Sequence, residues 1–95
     1  MAYNVTFTDD ALNDLREIES YLKERDPTAA GTVIRQIKQS TNLLSFFPFL
    51  GVPARTRDVR LLLVKHYRYV LPYKIIGNDI FIIGVLHPRQ RNPHR

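Results

Sequence analysis

The spacing of apolar residues changes once along this 95-residue chain, and that change constrains the fold. In the first half, apolar side chains recur every three or four residues, which is the period of an amphipathic helix. From about residue 59 they form short runs rich in Ile, Leu, Val and Tyr, which is typical of β-strands. A chain with this order is expected to pack a helical layer on a sheet.

Two helices are predicted in the first half. Thr8 is a suitable N-cap for a helix over residues 9 to about 24. Asp26, followed by a proline suited to a first helical turn, caps a second helix over residues 27 to about 46. The short connection predicts an antiparallel hairpin, and Gly31 is interpreted as a point where the two helices approach closely.

One strand is predicted before the helices, at residues 3–7, and three after them, at residues 59–65, 67–76 and 80–87. The connection at residues 47–53 is rich in turn formers, and its aromatic side chains are expected to cap the core. Pro72 cannot donate a ladder hydrogen bond, which predicts an edge position or a bulge. The expected fold is α+β, in the order β-α-α-β-β-β, with a helical hairpin on a small, curved, mainly antiparallel sheet.

Length and composition predict a single domain over residues 1–95, with residues 90–95 as a mobile tail. The chain has no cysteine, no apolar stretch long enough to span a membrane and no signal-peptide pattern at its N-terminus. We therefore expect a cytoplasmic protein that does not bind a membrane.

Charge is distributed unevenly. Residues 1–50 carry five Lys/Arg and seven Asp/Glu, a net charge of −2, whereas residues 51–95 carry nine and two, a net charge of +7. The basic half predicts an anionic partner, either nucleic acid or an acidic protein; a merely solvated basic surface is the alternative.

Several segments, in order along the chain, resemble the RelE/ParE superfamily of toxins from type II toxin–antitoxin systems. The resemblance begins at Val5–Leu15, which is similar to the family's first strand and its A-x-x-D-L helix start. It continues through Phe47-Pro48-x-x-Gly51 and ends in the strand run that closes with Val85-Leu86-His87. The connection and the final strand resemble ParE members most.

The resemblance implies a toxin that is neutralised by a cognate antitoxin, in a hetero-oligomeric complex. ParE-like toxins poison DNA gyrase and have no established hydrolytic site, so the ParE-like branch implies gyrase inhibition without enzymatic activity. RelE-like toxins instead cleave mRNA on the ribosome, which is the alternative. A third possibility is a non-toxic member that only binds antitoxin or nucleic acid.

A nuclease would need a proton-transfer group and cations that hold phosphate. By resemblance and by position at strand ends, the candidates are His87, Arg89, Arg68, Lys65 and Arg60. RelE-like nucleases place a tyrosine shortly after the arginine of the last strand, but residues 90–95 contain none. His87 could instead be an ordinary strand-end histidine, and the basic residues could simply keep a strand face soluble.

A role in binding a partner requires fewer specific residues than a role in catalysis. Antitoxin segments occupy apolar grooves or add a strand to an open sheet edge. The candidates for contact with the antitoxin or the target are Arg55, Arg57, Arg60, Phe49 and Arg91. The three histidines have no recognised ligand spacing and no glycine-rich phosphate loop is present, so neither a metal nor a cofactor is expected.

Overall fold

The computed structural model describes residues 2–87. Two helices and five strands follow one another as β1 (Asn4–Phe7), α1 (Asp9–Arg25), α2 (Pro27–Phe46), β2 (Val52–Pro53), β3 (Arg60–Leu63), β4 (Val70–Ile76) and β5 (Asp79–Ile82). The α+β class and the predicted order are confirmed, with the short strand β2 as an addition inside the predicted connection.

Both predicted helix starts are confirmed by their capping contacts. The Thr8 side chain accepts a hydrogen bond from the backbone N–H of Ala11 at 3.2 Å, and the Asp26 carboxylate accepts one from Ala29 at 3.1 Å. Each contact satisfies an N–H that has no partner within the helix. Asp26 also ends α1, since its own N–H donates to the Leu22 carbonyl, so one residue separates the two helices.

The five strands form one sheet in the order β1-β5-β4-β3-β2. β1 lies parallel to β5, and every other pair is antiparallel. The hydrophobic core lies between the sheet and the hairpin. Helix side chains such as Ile18 and Ile37 meet strand side chains such as Leu71, Tyr73 and Ile80 there.

The segment after β5 contains a bulge. Tyr73 pairs with Ile82, and Val70 pairs with Leu86. Three residues along β4 therefore face four residues along the segment that continues from β5. Pro72 lies within this step, where its missing N–H removes no ladder bond. The bulge prediction for Pro72 is confirmed; the edge alternative is wrong, because β4 is flanked by β3 and β5.

Three expectations about packing are wrong. The predicted strand over residues 80–87 ends as a regular strand at Ile82, because the bulge interrupts the ladder. Phe46, Phe47 and Phe49 do not cap the core: their exposed fractions are 61%, 60% and 66%. Gly31 does not mark a close approach of the helices, since a Cβ placed there would meet no atom within 4 Å.

Candidate functional site

An apolar groove runs between α2 and the β2–β3 edge of the sheet. Its volume is about 590 Å³. The α2 wall includes Leu43, and the opposite wall includes Leu50, Val52 and Leu63. All four side chains are between 48% and 65% exposed. Exposed apolar side chains gathered in one concave surface are typical of a binding site for another protein segment.

Part of the sheet edge is open along this groove. Strand β2 pairs with β3 only at Arg60 and Leu61. Alternation along β3 directs the N–H and C=O of Leu63 to the same side as those of Leu61, where β2 no longer runs alongside. A peptide bound in the groove could therefore form backbone hydrogen bonds as well as apolar contacts.

The hydroxyl of Tyr73 holds the connection that forms one end of the groove. It accepts a hydrogen bond from the N–H of Gly51 at 2.9 Å and donates to the carbonyl of Pro48 at 2.8 Å. Only glycine fits at position 51, because an added Cβ would lie 2.6 Å from the Leu61 carbonyl oxygen and 2.7 Å from the Tyr73 ring. These contacts give a physical reason for the Phe47-Pro48-x-x-Gly51 pattern in the sequence.

Arg60 also fixes this connection. Its Nε donates to the carbonyl of Gly51 at 2.9 Å, a second nitrogen donates to that of Phe49 at 3.3 Å, and its guanidinium carbon lies 5.2 Å from the Phe49 ring centroid. Arg60 is thus in use as a structural side chain. Arg60 is the first residue of β3, and Lys65 lies two residues beyond the last, so the two are at opposite ends of the strand.

The other basic candidates lie together at the opposite end of β3. Lys65 and Arg68 belong to the turn between β3 and β4, and both are exposed. His87 also lies near this end, because its ring contacts that of Tyr69. The two ring centroids are 4.8 Å apart and the rings are tilted by 58°. The candidates are therefore divided: Lys65, Arg68 and His87 lie toward the turn end of β3, whereas Arg60 is the first residue of that strand.

Two backbone features shape the turn. His66 and Arg68 have φ angles of 75° and 62°, which non-glycine residues seldom adopt. The N–H of Tyr67 donates to the carbonyl of Lys65 at 2.9 Å, closing a tight turn around His66. Strain of this kind is found often at functional sites, although it does not assign a role.

The remaining predicted residues occupy other places. Arg55 and Arg57 are exposed in the loop between β2 and β3, and Phe49 is exposed in the connection next to the groove. Arg89 and Arg91 lie outside the described residues, as does the predicted tail. The sequence analysis did not identify the groove residues Leu43, Val52 and Leu63. For Leu43 and Leu63 the available signal was an apolar residue beside a buried residue of α2 or β3; Val52, in the exposed strand β2, had no such signal.

Two classes of feature are not found within residues 2–87. No group of three or more His, Asp or Glu side chains lies close enough there to hold a metal ion. Of the helices in the same region, none is long and apolar enough to cross a membrane.

Comparison with known proteins connects this fold to toxins. Residues 5–92 match the sequence model described as the ParE toxin of the type II toxin–antitoxin system, parDE. A curated protein of Sinorhizobium fredii, named "Putative toxin Y4kP", is 35% identical over 83 residues, which are 87% of this chain and 85% of that protein.

Solved structures share the fold at low sequence identity. A chain of the chromosomal ParDE system of P. aeruginosa has a TM-score of 0.81 at 20% identity, covering 90% of this chain and 96% of that one. A chain of the RelBE2 toxin–antitoxin complex of Mycobacterium tuberculosis has a TM-score of 0.64 at 24% identity, covering 92% and 99%.

The fold and these matches define a type II toxin of the RelE/ParE superfamily. Within that superfamily, the chain belongs to the ParE toxin family.

Proposed function

We propose that this toxin acts on DNA gyrase and is neutralised by an antitoxin segment that binds in the groove between α2 and the β2–β3 edge. Membership of the ParE family supports the gyrase target. The groove supports the antitoxin, because it offers exposed apolar side chains and an open strand edge at one place.

The groove favours a segment of particular chemistry. Apolar side chains of the antitoxin would contact Leu43, Val52 and Leu63, which lie on its two walls. Lys65 lies at the groove as well, so an acidic residue at that end of the segment would complement it. A segment that is apolar on one face and acidic at one end fits this surface.

A pair of substitutions tests the groove. Leu63 lies in the groove, whereas Ile76 lies at the end of β4 and does not line it; their exposed fractions are 65% and 59%. Leu63→Lys should weaken antitoxin binding about 10-fold or more, since one apolar anchor is worth 1.4 kcal/mol or above. Ile76→Lys should change it less than about 2-fold. Equal effects, measured by titration calorimetry, would reject the groove as the binding surface.

The ribosome-dependent nuclease is the second candidate, because Lys65 and Arg68 are exposed in the β3–β4 turn and the His87 ring contacts Tyr69, the residue after Arg68. Two observations weigh against it: Arg60 is held by the carbonyls of Phe49 and Gly51, and no tyrosine follows residue 87. Alanine at His87 and Arg68 distinguishes the two candidates. If the toxin is a gyrase poison, the variant should still inhibit growth. If it is a nuclease, the variant should lose its toxicity.

A further inference from the structure

Three phenylalanines are exposed together where α2 ends and the connection to β2 begins. Phe46 is the last residue of α2, Phe47 is its C-cap, and Phe49 follows one residue later. Each is more than half exposed, although burial of a side chain of this size is strongly favourable. None of the three lines the groove between α2 and the β2–β3 edge. An antitoxin segment in that groove therefore does not account for them.

Hydrogen bonds hold the backbone that carries these rings. The N–H of Phe47 donates to the carbonyl of Leu43 at 2.9 Å, and the carbonyl of Phe47 accepts from the N–H of Leu50 at 3.0 Å. The carbonyl of Phe49 accepts from Arg60, whose guanidinium also faces the Phe49 ring. Because the backbone is already fixed, little conformational freedom is lost when a partner binds. Exposed aromatic side chains on a fixed backbone are typical of the anchors of a protein interface.

The chain segments next to these rings carry positive charge. Residues 27–78 contain only one acidic residue, Asp58. Arg55 and Arg57 are exposed in the loop after β2, and that loop leads to Arg60, which contacts Phe49. Aromatic residues and arginine are both enriched in protein interfaces. The partner surface that fits these residues is an apolar recess bordered by carboxylates.

We propose that Phe46, Phe47 and Phe49, here called the aromatic surface, form the contact through which the toxin binds gyrase. The inference rests on the proposed function, because it names the surface that reaches the target proposed above. Leu50 belongs to the same connection and lines the groove. An antitoxin segment in the groove therefore lies next to the aromatic surface and blocks gyrase without a change in the shape of the toxin.

A pair of double variants tests the aromatic surface. Phe47→Ser/Phe49→Ser removes two exposed rings from it, whereas Tyr21→Ser/Ile76→Ser removes two exposed apolar side chains from α1 and β4. Since all four side chains are exposed, both variants should fold, which circular dichroism and thermal unfolding check. The readout is inhibition of DNA supercoiling by purified gyrase holoenzyme as the concentration of toxin is raised.

The two variants should inhibit gyrase to different extents. Phe47→Ser/Phe49→Ser should raise the toxin concentration needed for half-inhibition about 10-fold or more, because aromatic anchors carry much of the affinity of an interface. Tyr21→Ser/Ile76→Ser should raise it less than about 3-fold. Equal weakening in both variants would show that any loss of exposed apolar area has this effect, and the proposed surface would be wrong.

Antitoxin binding separates the aromatic surface from the groove. The affinity of Phe47→Ser/Phe49→Ser for the antitoxin from which the toxin was purified should change less than about 3-fold, because neither ring lines the groove. A loss of this affinity as large as the loss of gyrase inhibition would assign the rings to the antitoxin site and overturn the proposal. Toxin saturated with antitoxin should not bind immobilised gyrase; a ternary complex would contradict the proposed block.

The target and its contact surface fail in different ways. If the wild-type toxin leaves supercoiling by gyrase unaffected, the gyrase target is wrong, and the contact surface is wrong with it. If the wild type inhibits gyrase and Phe47→Ser/Phe49→Ser inhibits it equally well, the target stands and only the aromatic surface is rejected.

Discussion

The Asp14 carboxylate accepts a hydrogen bond from the backbone N–H of Val85 at 2.9 Å, which joins helix α1 to the bulged segment after β5. The bulge leaves this N–H without a ladder partner on β4, and the carboxylate supplies one. Gly84 lies beside the contact, where a Cβ would stand 3.4 Å from both Asp14 and Pro72. Asp14 is therefore the residue that connects the helical layer to the bulge.

Removal of this carboxylate should destabilise the fold. Asp14→Ala leaves the Val85 N–H without its partner and should lower the free energy of unfolding by about 1.5–3 kcal/mol, the usual range for a hydrogen bond to a charged group. Asp14→Asn keeps an acceptor oxygen and should lose less. Urea denaturation measures both. Equal losses in the two variants would show that charge, rather than the hydrogen bond, stabilises the contact.

Two glycines should respond to alanine in opposite directions. Gly51→Ala places a Cβ 2.6 Å from the Leu61 carbonyl oxygen and should destabilise the protein by about 1–3 kcal/mol. Gly31→Ala meets no atom within 4 Å in an exposed part of α2 and should stabilise it by about 0.5–1 kcal/mol. Thermal unfolding of both variants checks the signs. A destabilising Gly31→Ala would contradict the described packing around α2.

Loss of the Tyr73 hydroxyl should affect both stability and antitoxin binding. Tyr73→Phe leaves the Gly51 N–H unpaired in a buried position, which should lower stability by about 1–3 kcal/mol. The same change releases the Pro48 carbonyl and loosens the connection that carries Leu50 into the groove. We expect weaker antitoxin binding as well, measured by calorimetry at a temperature where the variant is folded. If the affinity for the antitoxin is unchanged, the connection held by Tyr73 is not part of the antitoxin-binding surface.

Stability should fall at alkaline pH partly because of Tyr69. Burial raises the pKa of the Tyr69 hydroxyl above its ordinary value of 10.0, and the neighbouring Tyr21 shifts it in the same direction. The folded state therefore holds this proton more tightly than the unfolded state. Its stabilising effect is complete below pH 10 and is lost as pH rises through the folded-state pKa. Denaturation curves between pH 8 and 11 should show a smaller decline for Tyr69→Phe. If the free energy of unfolding declined equally in the wild type and in Tyr69→Phe, the raised pKa of Tyr69 would be contradicted.

The local features of this fold could be predicted from the sequence because neighbouring residues determine them. Thr8 and Asp26 each cap a helix through a backbone N–H three residues ahead. Pro72 predicted a bulge because it lacks an N–H, and the change in apolar spacing predicted the two layers. Resemblance to a family then supplied the function class that periodicity alone could not provide.

The contacts that define the sites join distant parts of the chain. Asp14 and Val85 are 71 residues apart, and the Tyr73 hydroxyl meets Gly51 across 22. Apolar spacing does not show whether Phe47 and Phe49 point into the core or into solvent, because in a connection they follow no helix or strand period. The sequence also does not show that Arg60, a candidate both for phosphate and for antitoxin contact, donates to the carbonyls of Phe49 and Gly51, because the path of that segment depends on tertiary packing.

The gyrase target is tested most directly with purified toxin that has been separated from its antitoxin. One assay measures DNA supercoiling and cleavage-complex formation by gyrase, and a parallel assay measures mRNA integrity on programmed ribosomes. We predict loss of supercoiling and accumulation of cleaved DNA–gyrase complexes, with intact mRNA, and reversal of the effect by antitoxin. Cut mRNA together with unaffected gyrase would contradict the proposed target and would make Lys65, Arg68 and His87 the residues to examine for catalysis.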